Sequence, residues 1–371
     1  MKNMKKICIL QNSITYGGTD TFVINLCKGL VTGGYDVTVV LSIDKEKAGP
    51  RLNDLKATGA RITWTCSLTN IKSKIKHFFL LYKELKKEKY DVFQANIDLF
   101  NGPNMFIAWL AGIPVRECHS HNSKQGRELK CGIKLSVRLY QGLMRWLCWT
   151  FSNRRCGCSE LALDFIFRDK WKNDPKSVVI PNGIDFSCYQ KAYDKKKNEL
   201  NLTNKYNICT VGRISYQKNP QFLLEVFYEL SQIRSDVDLI WCGTGEFESD
   251  IKDKISKLNL QERIHLLGAR RDIPEILSCA DVFFLPSRFE GLGIVLVEAQ
   301  VANLPCVISS VIPTEVDCGL CLPIPLEQSA KYWADQISEV IDRKIDFKIN
   351  AEKLNKFSID NMVKEMEKVF E

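Results

Sequence analysis

Residues 281–299 read DVFFLPSRFEGLGIVLVEA, and this stretch points to the class of fold. The apolar run VFFLP predicts a buried strand, and the run IVLV predicts a helix that follows it. The loop between them carries Glu290, Gly291 and Gly293, and Glu298 lies in the predicted helix. Glycines at a helix start let a ligand approach the backbone closely. A buried strand, a loop and a helix in this order form the repeating unit of a parallel sheet wrapped by helices.

The same alternation of apolar strands and helices occurs along the whole chain. It begins again after a polar, lysine-rich stretch at 191–207, which we interpret as a linker. The predicted strands are KKICILQ, DVTVVLS, RITWTC, YDVFQA and PVREC before this stretch, and NICTVGR, DLIWCG, IHLLG, DVFFLPS and PCVIS after it. We therefore predict an α/β protein with two Rossmann-like, doubly wound parallel-sheet domains, residues 1–190 and 208–349, that face a cleft.

The bulk composition favours two globular domains that stay in the cytoplasm. The 371 residues, 45% of them hydrophobic, are enough for two cores. The N-terminal apolar stretch is too short for a signal peptide, and no window is apolar enough for a spanning helix. The 15 cysteines are expected to be reduced core residues. Cys156 and Cys158 flank Gly157 without the paired spacing of a zinc site, so no metal is expected there.

The net charge of +8 is unevenly distributed along the chain. Residues 1–185 contain 29 Lys+Arg against 16 Asp+Glu, a charge of +13, and residues 186–371 contain 23 against 28, a charge of −5. At 72–90 and 130–155, basic residues are interleaved with large apolar ones. This pattern fits helices on an anionic membrane surface or against a lipid phosphate, and it also fits ordinary solvated helix faces. Nucleic-acid binding is not expected, because no recognised binding motif accompanies the charge.

Candidate binding residues follow the strands, since ligands of doubly wound sheets bind at the carboxyl ends of strands. Gly17 and Gly18 follow the first strand and fit either a close ligand approach or a plain turn. Arg213 and Lys218 follow NICTVG, above a helix predicted to begin near Pro220. Two cations at the positive end of a helix predict a diphosphate site.

Further candidates follow the later strands of the second series. Gly243 and Gly245 make the strand end GTGE rich in glycine. Glu290 lies in a loop, and Glu298 is predicted about two turns into the helix that begins near Leu292. A carboxylate on each side of the helix start can accept hydrogen bonds from the hydroxyls of a sugar and of a ribose.

One pair of carboxylates has metal-binding spacing but the wrong position. Asp236 and Asp238 form a D-x-D sequence, the spacing that metal-dependent sugar transferases use. They come before the strand that contains residues 239–241, so they are predicted to lie away from the ligand-binding edge. No metal site is therefore predicted.

Five segments that span nearly the whole chain carry a family pattern. They are GG (17–18), PNGID (181–185), GRISYQKN (212–219), GTGE (243–246) and FEGLGIVLVEAQVANLPCVIS (289–309). Together they resemble glycosyltransferase family 4, the retaining enzymes of GT-B fold. CHSHNS (118–123) and ISSVIPTEVDCG (308–319) further resemble the bacterial branch that builds capsular and exopolysaccharide repeat units. VIPTE replaces the usual glycine pair of the family, which leaves the donor sugar open.

The resemblance implies a role for each matching residue. Arg213 and Lys218 would hold the donor diphosphate and neutralise the leaving group. Glu298 would bind the ribose hydroxyls, and Glu290 would contact the transferred sugar. The backbone N–H groups beside the phosphate and sugar would come from Gly291, Leu292 and Gly293.

The resemblance also implies roles for the first domain, which would bind the acceptor. A histidine after PVREC would line the sugar site, and His119 is preferred to His121 because it is nearer the predicted strand end. Gly17 and Gly18 would approach the donor. The final helix, within residues 350–371, would cross back onto the first domain.

The resemblance thus implies a retaining hexosyltransferase that uses no metal and no cofactor beyond its nucleotide-sugar donor, expected to be UDP-linked. The expected acceptor is a lipid-linked saccharide in capsule or exopolysaccharide synthesis. The enzyme is expected at the anionic inner face of the plasma membrane. The alternatives are a non-catalytic nucleotide-sugar-binding or assembly protein of GT-B fold, and a sugar-nucleotide epimerase.

Overall fold

The computed structural model describes residues 4–122, 135–189, 194–202 and 204–371. The chain forms two compact units: the first comprises Met1–Ile184 and Lys356–Glu371, and the second comprises Asp185–Asn355. Each unit contains one parallel sheet. The prediction of an α/β protein with two doubly wound parallel sheets is therefore confirmed.

The first unit is built on a sheet of seven parallel strands among its described residues. The strands are β1 (Lys6–Gln11), β2 (Asp36–Leu41), β3 (Arg61–Trp64), β4 (Val92–Ala95), β5 (Val115–Ser120), β6 (Arg154–Gly157) and β7 (Ser177–Val179). Their spatial order is β3-β2-β1-β4-β5-β6-β7. The helices are α1 (Gly18–Thr32), α2 (Leu52–Ala57), α3 (Ile71–Glu88), α4 (Asn101–Leu110), α5 (Leu135–Phe151) and α6 (Glu160–Phe167).

Both faces of the first sheet are covered, which explains its nearly continuous apolar strands. Successive side chains of a strand point to opposite faces, so β1 contributes to two cores. Ile7 and Ile9 belong to the core that also contains Phe22 of α1. Cys8 and Leu10 belong to the opposite core, with residues of α3, α4, α5 and α6.

The second unit has a sheet of six parallel strands among its described residues. The strands are β8 (Tyr206–Val211), β9 (Val237–Cys242), β10 (Ile264–Gly268), β11 (Val282–Leu285), β12 (Cys306–Ser309) and β13 (Cys321–Ile324). Their spatial order is β10-β9-β8-β11-β12-β13. The helices are α7 (Asp194–Glu199), α8 (Pro220–Ile233), α9 (Glu248–Lys257), α10 (Ile273–Leu277), α11 (Ile294–Val301), α12 (Ala330–Ile341) and α13 (Ala351–Asn355).

Helix α7 lies inside the stretch that the sequence predicted as a linker. Residues 191–193 and 203 of that stretch fall outside the described ranges. Lys196 of α7 forms ion pairs with Asp272, at 2.6 Å, and with Glu275, at 3.1 Å. These ion pairs join α7 to the start of α10 within the second unit. At least one lysine of this lysine-rich stretch therefore makes a structural contact.

The last helix, α14 (Ile359–Phe370), belongs to the first unit. It buries Met362, Met366 and Phe370 in the same core as α1. A β-carbon on Gly29 of α1 would lie 2.3 Å from a methyl group of Val363, so the two helices meet where a glycine permits close approach. The chain therefore returns to its first unit after completing the second.

Most of the described cysteines are buried, as predicted; Cys188 is exposed and Cys321 is partly exposed. Cys8 and Cys209 lie within central strands of the two sheets. Burial raises the pKa of the Cys158 thiol to about 12. Such thiols stay protonated and pack as small apolar groups.

None of the helices in the described part of the chain combines the length and the apolar character that crossing a membrane requires.

Candidate active site

The candidate site of the second unit lies where its strand order reverses. β8 and β11 are neighbours in the sheet, but the strands that follow them along the chain lie on opposite sides. Ligands of doubly wound sheets bind beyond the carboxyl ends of strands at this switch point. The loops after β8 and β11 carry Lys218 and Glu290, two of the residues that the sequence singled out.

Lys218 ends a short 3-10 turn just before α8 begins at Pro220. Asn219 between them has a φ of 54°, a left-handed conformation that turns the chain into the helix. The ammonium Nζ of Lys218 lies 2.7 Å from Oε1 of Glu290, 72 residues further along the chain. An ammonium has three N–H donors, so this contact leaves capacity to bind a phosphate oxygen.

Glu290 is held by donors from both loops and is 6% exposed. The hydroxyl of Ser287 donates to Oε1 at 2.6 Å, and the amide of Gln217 donates to Oε2 at 3.2 Å. The backbone N–H of Arg288 also donates to the carbonyl of Gln217, which joins the loop after β11 to the loop after β8. Such a network fixes the orientation of the carboxylate before any ligand arrives.

The glycines of the second unit have packing reasons of their own. A β-carbon on Gly243 would lie 1.9 Å from the carbonyl oxygen of Gly212, and one on Gly245 would lie 2.3 Å from that of Ile214. Both glycines therefore let the loop after β9 lie against the loop after β8. A β-carbon on Gly212 would lie 2.8 Å from the side chain of Lys218. Gly212 thus brings the backbone close to the lysine.

Glu298 lies on α11, whose start is set by Gly293 in a left-handed conformation with φ of 79°. The helix begins at Ile294, so Glu298 lies about one turn inside it rather than the two turns predicted. Burial raises the pKa of the Tyr189 hydroxyl, and the nearby Glu298 carboxylate, to which it is hydrogen bonded, raises it further. The phenol therefore donates to the carboxylate and orients it. Gly291 and Leu292 precede this helix start in the same loop.

Arg213 takes no part in the network around Glu290. Its side chain is exposed in the loop after β8, and it forms no ion pair within the described part of the chain. The structure thus brings Lys218 and Glu290 together and leaves Arg213 at the surface of the same loop. A surface guanidinium at a strand end retains its donors for an anion.

In the first unit, β5 extends further than the sequence predicted. His119 lies inside the strand and is fully buried, whereas His121 is the first residue after it. The preference for His119 as the residue nearer the strand end was therefore wrong about its position. Nε2 of His121 lies 2.9 Å from the amide oxygen of Asn96, which follows the neighbouring strand β4. Burial, together with the proximity of His119, lowers the pKa of His121 well below its usual range.

Gly17 and Gly18 form the exposed start of α1, where Asp20 already accepts several hydrogen bonds. Its carboxylate accepts from the backbone N–H groups of Thr15, at 2.9 Å, and Gly17, at 3.2 Å. The amide of Gln11 donates to the other oxygen at 2.7 Å. A carboxylate thus occupies part of the positive helix end, where the sequence left open a close ligand approach or a plain turn.

The D-x-D pair is engaged in structural contacts at the amino end of β9. Asp236 pairs with Arg234 at 3.0 Å. Asp238 is fully buried, accepts from the amide of Asn204 at 2.6 Å and lies 3.5 Å from His265. These contacts account for both carboxylates without a metal.

Several residues of the site were not predicted from the sequence. Ser287 lies in the stretch 281–299, and Gln217 lies in the segment GRISYQKN (212–219). Both polar side chains are therefore close in sequence to a charged residue that was predicted. Tyr189 and Asn96 lie in other segments and carry no pattern of their own. Folding brings Tyr189 next to Glu298 and Asn96 next to His121.

Family models match both parts of the chain. The model described as Glycosyltransferase Family 4 matches residues 16–187, and the model described as Glycosyl transferases group 1 matches residues 192–317. The two matches meet close to the boundary between the units.

Curated relatives extend this likeness over most of the chain. The Bacillus subtilis protein EpsF, whose name assigns it to the glycosyltransferases, is 29% identical over 350 residues, 91% of this chain and 88% of EpsF. The UDP-Gal:alpha-D-GlcNAc-diphosphoundecaprenol alpha-1,3-galactosyltransferase of Escherichia coli is 32% identical over 258 residues, 66% of this chain and 64% of that protein.

Solved structures share the architecture at low sequence identity. Anabaena HepE in complex with UDP-glucose aligns with a TM-score of 0.79 and 18% identity over 98% of both chains. WaaG, a glycosyltransferase involved in lipopolysaccharide biosynthesis, aligns with a TM-score of 0.65 and 15% identity over 97% of this chain and 95% of WaaG. At such identities the likeness shows the fold alone.

Proposed function

Because the chain belongs to glycosyltransferase family 4, and is a glycosyltransferase of GT-B fold, we propose that it transfers a hexose-type sugar from a UDP-linked donor to a lipid-linked saccharide. The observation that carries this proposal is the network at the switch point of the second unit. There Lys218 contacts Glu290 at 2.7 Å, next to the glycine-rich start of α11. The pair combines a cation for a phosphate with a carboxylate for hydroxyl groups.

The roles proposed for these residues follow from their chemistry. Lys218 binds the donor diphosphate and stabilises the charge that develops as it leaves, and Arg213 adds a second cation from the same loop. Glu298, oriented by Tyr189, binds the ribose hydroxyls. Glu290 contacts the sugar that is transferred. In this proposal a helix start and fixed cations stabilise the negative charge of the leaving diphosphate, so no divalent metal is needed.

The contacts of Glu290 also favour one course of reaction. A carboxylate bound to an ammonium and to the Ser287 hydroxyl holds its electron pairs in hydrogen bonds, which makes it a weak nucleophile. We therefore propose a same-face transfer, in which the acceptor hydroxyl attacks the anomeric carbon as its bond to the diphosphate breaks. The hydroxyl proton passes to the leaving diphosphate, and the anomeric configuration is retained. Glu290 binds the sugar and forms no covalent intermediate.

The donor and acceptor classes rest on relatives. The Escherichia coli relative is named as a galactosyltransferase with UDP-Gal as the donor and GlcNAc linked to diphosphoundecaprenol as the acceptor. A Campylobacter jejuni relative, 24% identical over 315 residues, is named as an N-acetylgalactosaminyltransferase of a saccharide linked to undecaprenol through a diphosphate. We carry the classes of donor and acceptor, and a role in capsule or exopolysaccharide synthesis, to this chain as proposals.

A surface of the first unit supports the proposal of a membrane-linked acceptor. On α5, the large side chains Leu135, Leu139, Leu143 and Trp146 are all exposed. Their spacing of three to four residues places them on one stripe of the helix. On α3, residues 71, 75 and 79 form a second exposed apolar stripe with the same spacing. Both helices pack against α4 on the same face of the sheet.

Basic residues flank these apolar stripes, which suits an anionic surface. Lys72, Lys76 and Lys83 are exposed on α3, and Arg138 is exposed on α5. A helix with apolar side chains in the lipid and cations at the headgroups lies in the plane of a membrane interface. We propose that the enzyme attaches here to the cytoplasmic face of the plasma membrane, where a lipid-linked acceptor is found.

A transfer assay with separate donor and acceptor arms tests the proposed reaction. The purified chain is incubated with labelled UDP-hexoses, with and without a detergent-dispersed diphosphate-linked lipid saccharide, and the products are resolved by chromatography and NMR. We expect a labelled lipid product of retained configuration that forms only with both substrates. A new UDP-sugar in the donor-only arm would instead indicate an epimerase.

A matched pair of lysine variants links the reaction to the proposed site. Lys218→Ala should abolish most of the transfer. Lys252→Ala removes a lysine that pairs with Glu248 at the same 2.7 Å on the surface of α9, and it should leave transfer unchanged. Equal activity of the two variants would remove the site from the proposal.

A further inference from the structure

Three buried side chains from two neighbouring strands meet inside the first unit. Glu117 and His119 alternate on β5 and therefore share one face of the sheet. Cys156 lies on β6 directly beside His119 in the strand register. All three side chains are fully buried. A carboxylate oxygen, a ring nitrogen and the sulfur lie within 4.8 Å of one another.

Four polar atoms of this cluster lack a hydrogen bond of good distance and angle in the described part of the chain, although the Cys156 thiol is close enough to the Glu117 carboxylate to interact with it. They are both carboxylate oxygens of Glu117 and both ring nitrogens of His119. Nδ1 of His119 lies 3.2 Å from Oε1 of Glu117, but without hydrogen-bond geometry. Native proteins almost always satisfy buried polar atoms, and unsatisfied ones indicate a missing ion or water. Their concentration around one point favours a shared ligand.

The neighbouring cation does not supply the missing partner. Arg154 lies beside Glu117 in the strand register. Its guanidinium donates to the backbone carbonyls of Val369, at 3.0 Å, and Asn153, at 3.1 Å. Within the described ranges, the only ion pair of Glu117 is with the ring of His119. A buried carboxylate without a strong cation is unfavourable, which a bound cation would correct.

We propose that Glu117, His119 and Cys156 bind one zinc ion through a carboxylate oxygen, a ring nitrogen and a thiolate. These are ligand types that zinc uses in proteins, with bonds of about 2.0 to 2.3 Å. Ligand atoms around a tetrahedral zinc are then about 3.3 to 3.6 Å apart. The 3.2 Å between His119 and Glu117 matches this spacing, and the sulfur, within 4.8 Å of both ligand atoms, must move closer by up to about 1.2 Å to join them.

The charges and protons of such a site balance. As the zinc–sulfur bond forms, the thiol proton of Cys156 passes to solvent, and the carboxylate and thiolate together offset the two charges of the ion. Gln94 lies beside Glu117 on β4, and neither of its side-chain amide atoms is hydrogen bonded within the described residues. Its amide oxygen is the candidate for the fourth ligand. The site was not predicted from the sequence, because Cys156 has no nearby cysteine or histidine partner at zinc-site spacing.

The proposed ion is structural and separate from sugar transfer. It joins β5 to β6 in a fully buried position of the first unit, whereas the residues of the proposed donor site belong to the second unit. The ring of His119 stacks on that of His121, with centroids 4.5 Å apart. Fixing His119 would therefore hold the position of His121 at the strand end. A structural zinc at this site is compatible with sugar transfer that uses no catalytic metal.

Metal analysis of the full chain tests this proposal. The protein is refolded with zinc, desalted and analysed by mass spectrometry for metals, and it is refolded separately with cobalt for absorption spectra. We expect about one zinc per chain, and with cobalt a thiolate charge-transfer band in the near ultraviolet. Only trace metal and no thiolate band in the wild-type chain would overturn the proposal, whatever its variants do.

Two cysteine variants locate the ion. Cys156→Ala should lower the zinc content at least about tenfold and remove the thiolate band. Cys158→Ala is the matched control, because Cys158 is also buried, two residues further on. It should keep both signals. A Cys156→Ala protein with undiminished zinc would show that the metal binds elsewhere, and the wild-type measurement decides the outcome if that variant does not fold.

Discussion

Replacing Glu290 by glutamine perturbs the most constrained carboxylate of the proposed donor site. The side chain is 6% exposed, and its two oxygens accept from Ser287, Lys218 and Gln217. Glutamine keeps the size of the side chain but replaces one oxygen by an NH2 donor. One orientation sets this donor against the ammonium of Lys218, and the other sets it against the amide of Gln217. At least one bond is lost in either orientation, together with the negative charge.

The magnitude follows from the kind of bond that is lost. A hydrogen bond to a charged partner contributes about 1.5 to 3 kcal/mol, against about 0.5 to 1.5 kcal/mol for a neutral one. At about 1.4 kcal/mol per factor of ten, loss of the Lys218 contact lowers the rate about ten- to a hundredfold. If Glu290 contacts the sugar as its bond breaks, the loss falls mainly on kcat.

Glu298→Gln provides the contrast within the same site. Glu298 is proposed to bind ribose, whose contacts are the same before and during the reaction. Uniform binding changes the Michaelis constant and leaves turnover unchanged. Glu298→Gln should therefore mainly raise the donor KM, and Glu290→Gln should mainly lower kcat.

Steady-state kinetics with varied UDP-sugar separate these two effects, with thermal melting as the measure of folding. Glu248→Gln is the control, because Glu248 pairs with Lys252 at 2.7 Å on the surface, and surface pairs contribute little. It should behave as wild type. If Glu290→Gln and Glu298→Gln both fold normally and keep wild-type kcat and KM, the carboxylates are structural and the reasoning fails.

Three further predictions address the metal, the membrane and pH. Transfer should persist in excess EDTA, and complete loss that Mn2+ or Mg2+ restores would refute the cation-based diphosphate site. The protein should sediment with phosphatidylglycerol vesicles at low salt and be released at high salt, while Leu139→Ser with Leu143→Ser should bind less; equal binding to neutral vesicles would contradict the electrostatic account. Because the folded pKa of His121 is depressed, its neutral form stabilises the fold above the unfolded pKa of about 6.5, and this contribution is lost as pH falls below it. Below pH 6.5, the free energy of unfolding of the wild type should therefore fall faster than that of His121→Gln, by up to about 1.4 kcal/mol per pH unit. Parallel curves for the two proteins would disprove the depressed pKa of His121.

Strand-end reasoning predicted the central pair of the site because the sheet itself determines it. Lys218 and Glu290 each follow an apolar run, and parallel strands place such residues at one edge. The pair could therefore be predicted although its two residues are 72 positions apart in the sequence. Tyr189 could not be found in the same way, because no periodic pattern connects its segment to Glu298.

Other differences have local physical causes. PVREC was predicted as the whole strand, but His119 and Ser120 continue it, because their backbones pair in register with Cys156 and Gly157 of β6. Gly243 and Gly245 were assigned to ligand binding, yet backbone packing alone requires a glycine at both positions. Sequence cannot distinguish a glycine that faces a ligand from one that faces another loop, because both need the same missing β-carbon.

The return of the chain to its first unit affects the order in which the protein folds on the ribosome. Residues 185–355 are contiguous, so the second unit emerges complete. The first unit, although synthesised earlier, lacks Met362, Met366 and Phe370 of its core until the last helix has been translated. Apolar surface on α1 thus stays uncovered while more than half of the polypeptide is made, a period in which chaperones and proteases have access to it.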